Sequence, residues 1–292
     1  MALTQHFDYL HVIAGMLVGV LVGLTGVGGG SLMTPLLVLL FGVSPQTAVG
    51  TDLLFAATTK IAGSVVHGKR ETVDWRIVRR MACGSIPAAL LTLGFLSWFG
   101  KIGNSTEHLI MISLAVLLGV TAVAVICRKW LLKLAHDIDP ARPRSRVLAG
   151  TVLLGAAIGV AVSISSVGAG AIGMTVLLVL YPKLPVARVV GSDIAHAVPL
   201  ALIAGFGHWI IGDVDFGLLA VLLIGSIPGV VIGSYLSSHA SDRILQPLLA
   251  CVLAVSSWQL FLKANPGEKH TAPAPTAAQS VSIAGEAAAK QP

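Results

Sequence analysis

The residues of this chain best suited to binding chemistry are glycines and hydroxyls in two short breaks within apolar sequence. The first break is 26-GVGGGS-31 and the second is 165-SSVGAGAIG-173. In a bilayer, non-helical backbone is tolerated only where protein or a water-filled cavity surrounds it. A helix that starts after such a break points free N–H groups and the positive end of its dipole into that space. The two breaks therefore predict a site for a small anion.

Hydroxyl and backbone N–H donors around the breaks are the predicted substrate contacts, because they can replace the hydration of an anion. The alternative is that the glycines only allow helices to pack closely. Their clustering with Ser31 and Pro35, and their duplication, favour the site. The predicted substrate-binding residues are Gly28, Gly29, Gly30, Ser31, Thr51, Ser165, Ser166, Gly168, Gly170 and Ser192.

Three ionisable residues lie in or near the starts of apolar spans. Asp52 and Asp193 follow Gly-Thr and Gly-Ser, where a costly carboxyl group indicates proton coupling. Both are also good N-capping residues, and the sequence leaves these alternatives open. Lys60 lies mid-span with no repeat counterpart. It is a candidate substrate contact, although lysines also snorkel or pair with carboxylates.

Histidines and cysteines give weaker signals. His67 and His208 lie at span ends, which favours interfacial anchoring over proton handling, and His196 is expected to be a packing residue. Three cysteines without metal-type spacing predict neither a disulfide framework nor a metal site. No catalytic or cofactor motif is found, so the sequence predicts no catalytic residues, no cofactor and no enzyme.

Composition indicates a multi-pass membrane protein with the lipid bilayer as its surroundings. Of 292 residues, 55% are hydrophobic and 11% charged, with a mean hydropathy of +0.88. The N-terminus lacks the features of a removable signal peptide. The net charge of +6 comes from basic residues in short loops, as the positive-inside rule expects, so nucleic acid is not a predicted partner.

The sequence contains an internal repeat. 27-VGGG-30 matches 167-VGAG-170 at an offset of 140, and 49-VGTD-52 matches 190-VGSD-193 at an offset of 141. The second offset also pairs 84-GSIP-87 with 225-GSIP-228. We predict a first transmembrane repeat at 8–127, a basic cytoplasmic linker at 128–146, a second repeat at 147–262 and a disordered tail at 263–292.

Each repeat contains a glycine-broken stretch followed by three spans, so we predict an all-α fold with about 8–10 membrane segments. The broken stretches are expected to form two short helices each, either re-entrant or crossing obliquely. The loop 67–80 has five basic residues and its partner 208–221 has none. This difference favours inverted repeats, because equivalent loops would then lie on opposite faces.

These motifs together resemble the sulfite exporter TauE/SafE family, also called the 4-toluene sulfonate uptake permease family. The resemblance covers most of residues 8–262 and implies a multi-pass transporter of the bacterial inner membrane that carries sulfite, sulfonates or related anions. The second copy departs from the motif at Ala169, which replaces the middle glycine, and at Thr175, which is taken to stand opposite Pro35. By similarity, the family motif falls on Gly28, Gly29, Gly30, Pro35, Gly50, Thr51 and Asp52, and on Gly168, Gly170, Gly191, Ser192 and Asp193.

The sequence therefore predicts a secondary transporter of a small anion, driven by the proton gradient or the membrane potential, with protons as the coupling ion. One alternative is a divalent metal-cation transporter that uses Asp52, Asp193, His196 and His208. Another is a membrane assembly protein that transports nothing. The sequence gives no prediction of direction or of oligomeric state.

Overall fold

All regular structure in the described part of the chain is helical. The computed structural model describes residues 9–25, 30–67, 73–99, 105–136, 143–168, 170–236 and 242–265. The ten helices in these ranges are α1 (Tyr9–Thr25), α2 (Gly30–Leu39), α3 (Pro45–His67), α4 (Trp75–Phe99), α5 (Ser105–His136), α6 (Arg144–Ser165), α7 (Ala171–Leu180), α8 (Val186–Ile211), α9 (Phe216–Leu236) and α10 (Asp242–Ala264). The prediction of an all-α fold is confirmed.

Six of these helices are long and apolar enough to cross a membrane. The qualifying stretches are Trp75–Trp98, His108–Cys127, Arg144–Ser165, Arg188–Ile211, Phe216–Leu236 and Leu245–Ala264. α1 is a shorter apolar helix, and α2 and α7 have ten residues each. At a rise of about 1.5 Å per residue, such a short helix covers about half of a hydrocarbon core.

Each glycine-broken stretch folds as a long helix followed by a short helix that turns back alongside it. In the second repeat, Tyr181 at the end of α7 reaches Thr151 near the start of α6, with 2.8 Å between their hydroxyl oxygens. In the first repeat, Phe41 after α2 stacks on His11 near the start of α1, with ring centroids 4.1 Å apart. We call these units the α1–α2 and α6–α7 hairpins. Their depth in the bilayer stays a prediction.

Two very close helix pairs join the halves, because glycines allow backbone to meet backbone. α1 lies parallel to α9, with Gly15 beside Leu222 and Gly23 beside Val230. α4 lies parallel to α6, with Gly155 beside Met81 and Gly159 beside Ser85. These pairs are equivalent under the repeat, since each contains the long helix of one hairpin and the Gly-Ser-Ile-Pro helix of the other half. Small residues spaced four apart are the usual means of such approach in membranes.

α3 and α8, which correspond to each other in the two halves, run antiparallel at the centre. Gly50 packs against the main chain at Asp213, and further along α3 Leu54 packs against Gly205. Equivalent helices that run in opposite directions are what inverted repeats require. The orientation of the two halves in the bilayer stays a prediction.

The hydrophobic core consists of two clusters, and each contains residues of both halves. One cluster contains apolar side chains of α1, α2, α5, α9 and α10, and the other draws mainly on α3, α4, α6, α7 and α8. The repeats are therefore not separate packing units. α5 continues to His136, into the stretch predicted as a linker. Residues 266–292, most of the predicted tail, lie outside the described residues.

The close α1–α9 contact makes a stability prediction. A Cβ at Gly19 would lie 2.9 Å from Ser226 Cα and closer still to its carbonyl oxygen, so Gly19→Ala must separate the two backbones. We expect a loss of about 1–3 kcal/mol in stability, seen as a lower melting temperature of the purified protein in detergent. Gly94→Ala on α4 is the matched control, since nothing lies within 4 Å of a Cβ there. Equal melting temperatures for the two variants would contradict the packing account.

Candidate functional site

The two acidic residues predicted for coupling lie inside their helices. α3 begins at Pro45 and α8 at Val186, so Asp52 and Asp193 each lie seven residues beyond the first helical residue. The cap of α3 is instead Ser44, whose Oγ accepts the Thr47 N–H at 3.3 Å. N-capping was one of the two explanations left open for these carboxyls, and it is wrong because the helices start about two turns earlier.

Both carboxyl groups are buried against the short helix of their own half. The Thr34 hydroxyl on α2 donates a hydrogen bond to Asp52 Oδ2, and Asp52 is fully buried. On the other side, Asp193 lies so close to α7 that a Cβ at Gly173 would be 2.6 Å from its Oδ1. Each short helix thus presents a small or hydroxylated residue to an acidic group on the helix that follows.

Helix bounds correct the sequence alignment of α2 and α7. α2 and α7 correspond at an offset of 141, which sets 33-MTPLLVL-39 opposite 174-MTVLLVL-180. Val176 therefore stands opposite Pro35, and Thr175 is the counterpart of Thr34. The alignment failed because the extra residue of the second half lies in the break before α7, not after it.

Lys60 lies on the part of α3 that runs beside α8. The antiparallel neighbours Gly50–His208 and Leu53–Gly205, continued along both helices, bring Lys60 level with the middle of α8. Lys60 is half-buried and interacts electrostatically with both Asp193 and Asp52. One cation is therefore shared by the acidic groups of the two halves.

A buried histidine and a buried serine add polar groups that the sequence did not predict as site residues. His196 Nε2 lies 2.7 Å from the hydroxyl oxygen of Ser85 on α4. His196 Nδ1 is buried without a hydrogen-bond partner among the described residues. His196 was expected to be a packing residue, and Ser85 was seen only as part of the repeated Gly-Ser-Ile-Pro. That repetition was the signal that could have indicated it.

His208 holds helices together instead of anchoring at an exposed interface. It is buried, its Nε2 lies 2.8 Å from the Ser163 carbonyl oxygen, and its Nδ1 lies 3.3 Å from Asp213 Oδ2. The side chain of its repeat partner His67 is outside the described residues. Within the described ranges, no group of three or more His, Cys, Asp and Glu residues is arranged to hold a metal ion.

The second break has a tightly turned backbone. Ser166 and Gly168 have positive φ angles of 58° and 112°, which ends α6 before Gly170 caps α7. Ser165 Oγ donates to the Ala161 carbonyl and accepts the Val167 N–H. Ser166 is buried near Asp52 of the other half. In the first break, Gly30 starts α2 and Ser31 is buried, whereas Gly28 and Gly29 lie outside the described residues.

Thr51 and Ser192, both predicted substrate contacts, make equivalent hydrogen bonds to the opposite half. The Asp215 N–H donates to Thr51 Oγ1 at 3.1 Å, and the Asp74 N–H donates to Ser192 Oγ at 2.8 Å. The Asp74 and Asp215 carboxylates in turn accept N–H groups at the starts of α4 and α9. We call these two bonds the cross-half hydrogen bonds. Both hydroxyls thus have a structural role in joining the halves, and their contact with substrate stays a prediction.

Comparison with known proteins gives one family. A family model described as sulfite exporter TauE/SafE matches residues 11–260. The chain is 40% identical over 251 residues to the probable membrane transporter protein YjnA of Bacillus subtilis, covering 86% of this chain and 98% of the relative. It is 26% identical over 257 residues to the probable membrane transporter protein YdhB of the same organism, covering 86% and 99%. No solved structure matches the chain.

The cross-half hydrogen bonds make a second stability prediction. Thr51→Val keeps the shape of the side chain but leaves the Asp215 N–H without its acceptor. We expect a cost of about 1–3 kcal/mol, the usual penalty for an unsatisfied polar group, measured by thermal unfolding. Thr58→Val is the matched control, because among the described residues the Thr58 hydroxyl donates to a carbonyl of its own helix, that of Leu54. A loss no greater than that of the control would show that the Thr51 bond adds nothing.

Proposed function

Because the chain belongs to the sulfite exporter TauE/SafE family of membrane transporters, we propose that it is a secondary transporter of a small anion. Sulfite, a sulfonate or a related sulfur-containing or organic anion is the proposed substrate. The family and its relatives are transporters and not enzymes, and six apolar helices fit a multi-pass protein such as those of a bacterial inner membrane. The alternative of an assembly protein that transports nothing is therefore set aside.

The observation that carries the proposal is the position of Lys60. A lysine in the middle of a membrane helix is costly and is kept where it binds a ligand or a partner charge. Lys60 lies on α3, and it interacts electrostatically with Asp52 of its own half and with Asp193 of the other. A single cation at the junction of two repeats is suited to an anion that must be reached from both sides of the membrane.

Uncharged donors near the breaks would complete the site. The predicted contacts are the N–H groups that follow Gly28, Gly29 and Gly30, those that follow Gly168 and Gly170, and the hydroxyls of Ser31, Ser165, Ser166, Thr51 and Ser192. Among these, Ser166 is the residue whose surroundings support the role most directly, because it is buried beside Asp52 across the interface between halves. Donors held by the backbone can bind an anion without adding charge.

The two carboxyl groups supply a means of proton coupling. When Asp52 and Asp193 are both ionised, they compensate Lys60 and oppose an incoming anion by Coulomb repulsion. When either one binds a proton, the net charge around Lys60 becomes more positive and an anion can take the vacated interaction. Proton and anion would then be bound together, which couples transport to the proton gradient.

The arrangement favours an anion over a divalent metal ion. His208 is occupied by Ser163 and Asp213, so it does not join Asp52, Asp193 and His196 in one metal-binding group. The Lys60 ammonium also opposes a cation at that place. A thermal-shift screen of purified protein with sulfite, thiosulfate, sulfoacetate, taurine and aryl sulfonates, beside divalent metal ions, tests the choice. Stabilisation by a metal ion and by none of the anions would overturn the proposal.

Removal of the central cation gives a direct prediction. Lys60→Met keeps the length of the side chain and removes its charge, so we expect at least a tenfold loss of anion affinity, measured by thermal shift and by uptake into proteoliposomes. Lys183→Met is the matched control, because Lys183 is exposed between α7 and α8. Unchanged uptake by the Lys60 variant would refute the part assigned to this residue.

Variants with a neutral amide in place of each carboxyl distinguish proton coupling from anion binding. Asp193→Asn or Asp52→Asn cannot release a proton, so we expect accumulation driven by a pH gradient to fall at least tenfold while exchange of labelled for unlabelled anion continues. Asp74→Asn is the control, since asparagine caps α4 as well as aspartate does. If both neutral variants still accumulate anion in response to a pH gradient, these carboxyls are not the coupling groups.

A further inference from the structure

The two halves do not contribute equal polar groups to the centre. At the repeat offset of 141, Ser85 on α4 corresponds to Ser226 on α9, and His196 on α8 corresponds to Phe55 on α3. Both serines are fully buried. Ser85 holds His196 at 2.7 Å, whereas Ser226 Oγ has no hydrogen-bond partner in the described part of the chain. Of these two symmetry-related positions, one therefore carries an imidazole bonded to a serine and the other carries a phenylalanine.

The free edge of the His196 imidazole is the feature that points to a ligand. His196 is 1% exposed, and its Nδ1 is unpartnered among the described residues. A buried polar atom without a partner is destabilising, so a histidine in this state is suited to donate a hydrogen bond to a ligand that binds there. Ser85, by engaging Nε2, fixes the ring and leaves Nδ1 as the edge that a ligand can use.

The charges around His196 indicate which kind of ligand this is. Asp193 lies three residues earlier on α8 and therefore on the same helix face. Lys60 interacts electrostatically with both Asp193 and His196. Lys60 is unequal between the halves as well, because Ala201 occupies its equivalent position. The cation and the free imidazole edge both belong to the side where α3, α4 and α8 meet, and a ligand that contacts both carries negative charge.

We propose that the anion binds away from the pseudo-symmetric centre of the molecule, with His196 and Lys60 as direct contacts and Ser85 as the residue that positions His196. With the Ser85 hydroxyl donating to Nε2, the imidazole carries its proton on Nδ1 and donates it to an oxygen of the anion. Phe55 of the first half and Ser226 of the second form the symmetry-related place, which binds no anion. This inference rests on the proposed function and assigns the one of two symmetry-related places at which the anion binds.

Matched serine variants test the assignment, since they differ only in which half they change. With sulfite and 4-toluene sulfonate as probes, Ser85→Ala is expected to raise the anion Kd and the KM for uptake at least fivefold. Ser226→Ala is expected to change neither. Ser85→Thr keeps the hydroxyl and is expected to restore affinity, which a merely structural role of the serine would not produce. Equal effects of the two alanine variants would overturn the proposal.

The histidine is tested by giving it the residue of the other half. His196→Phe is expected to weaken binding of the same probes at least tenfold, and His196→Leu gives an independent check should the larger ring prevent folding. A wild type that binds one of the probes while both histidine variants bind it equally well overturns the assignment and leaves the proposed function standing. A wild type that binds no anion at all overturns the proposed function and this inference with it.

Discussion

Close contact between the backbones of α1 and α9, and of α4 and α6, is the constraint on which the rest of the structure depends. Each pair joins the long helix of one hairpin to a helix of the opposite half, with glycines such as Gly19 and Gly155 at the contact. Because the second break holds Ser166, Val167 and Gly168 outside regular helix, its backbone groups need protein around them wherever the bilayer excludes water. The α1–α9 and α4–α6 pairs contribute to this, since the long helix of each hairpin packs against the other half, while its short helix packs against an acidic residue of its own half.

This packing between the halves also places the charged residues of α3 and α8 close together. α3 and α8 are brought together between the two hairpins, and the acidic residue of each faces the short helix beside it. Lys60 then interacts with both acids from a single position. In a low-dielectric interior such interactions are strong, so binding or loss of one proton changes the local balance substantially. Larger clusters of charge would be costly here.

Much of this arrangement could be predicted from the sequence, and the failures have identifiable causes. Long apolar runs and repeated motifs predicted about 8–10 helical segments, and the described ranges contain ten helices, because hydrophobic length and the Gly and Pro residues that interrupt it are local signals. The sequence does not decide between N-capping and proton coupling for Asp52 and Asp193. The reason is that Ser44 and Pro45 are a weaker signal for the start of α3 than the Thr-Asp pair that follows them. Ser85 and the Nδ1 edge of His196 were missed because their partnership depends on the packing of α4 against α8, which no spacing reveals.

The cross-half hydrogen bonds have a consequence for how such a chain can arise. Thr51 accepts a hydrogen bond from Asp215, and Ser192 accepts one from Asp74. The two bonds join equivalent positions of the repeat, once from the second half to the first and once from the first to the second. Two copies of a single half would satisfy both bonds with the same two residues, and the swapped glycine contacts would form in the same way. Joining the copies into one chain leaves this framework unchanged and removes the need for identical halves. Lysine opposite alanine, and histidine opposite phenylalanine, are differences that two identical copies could not carry.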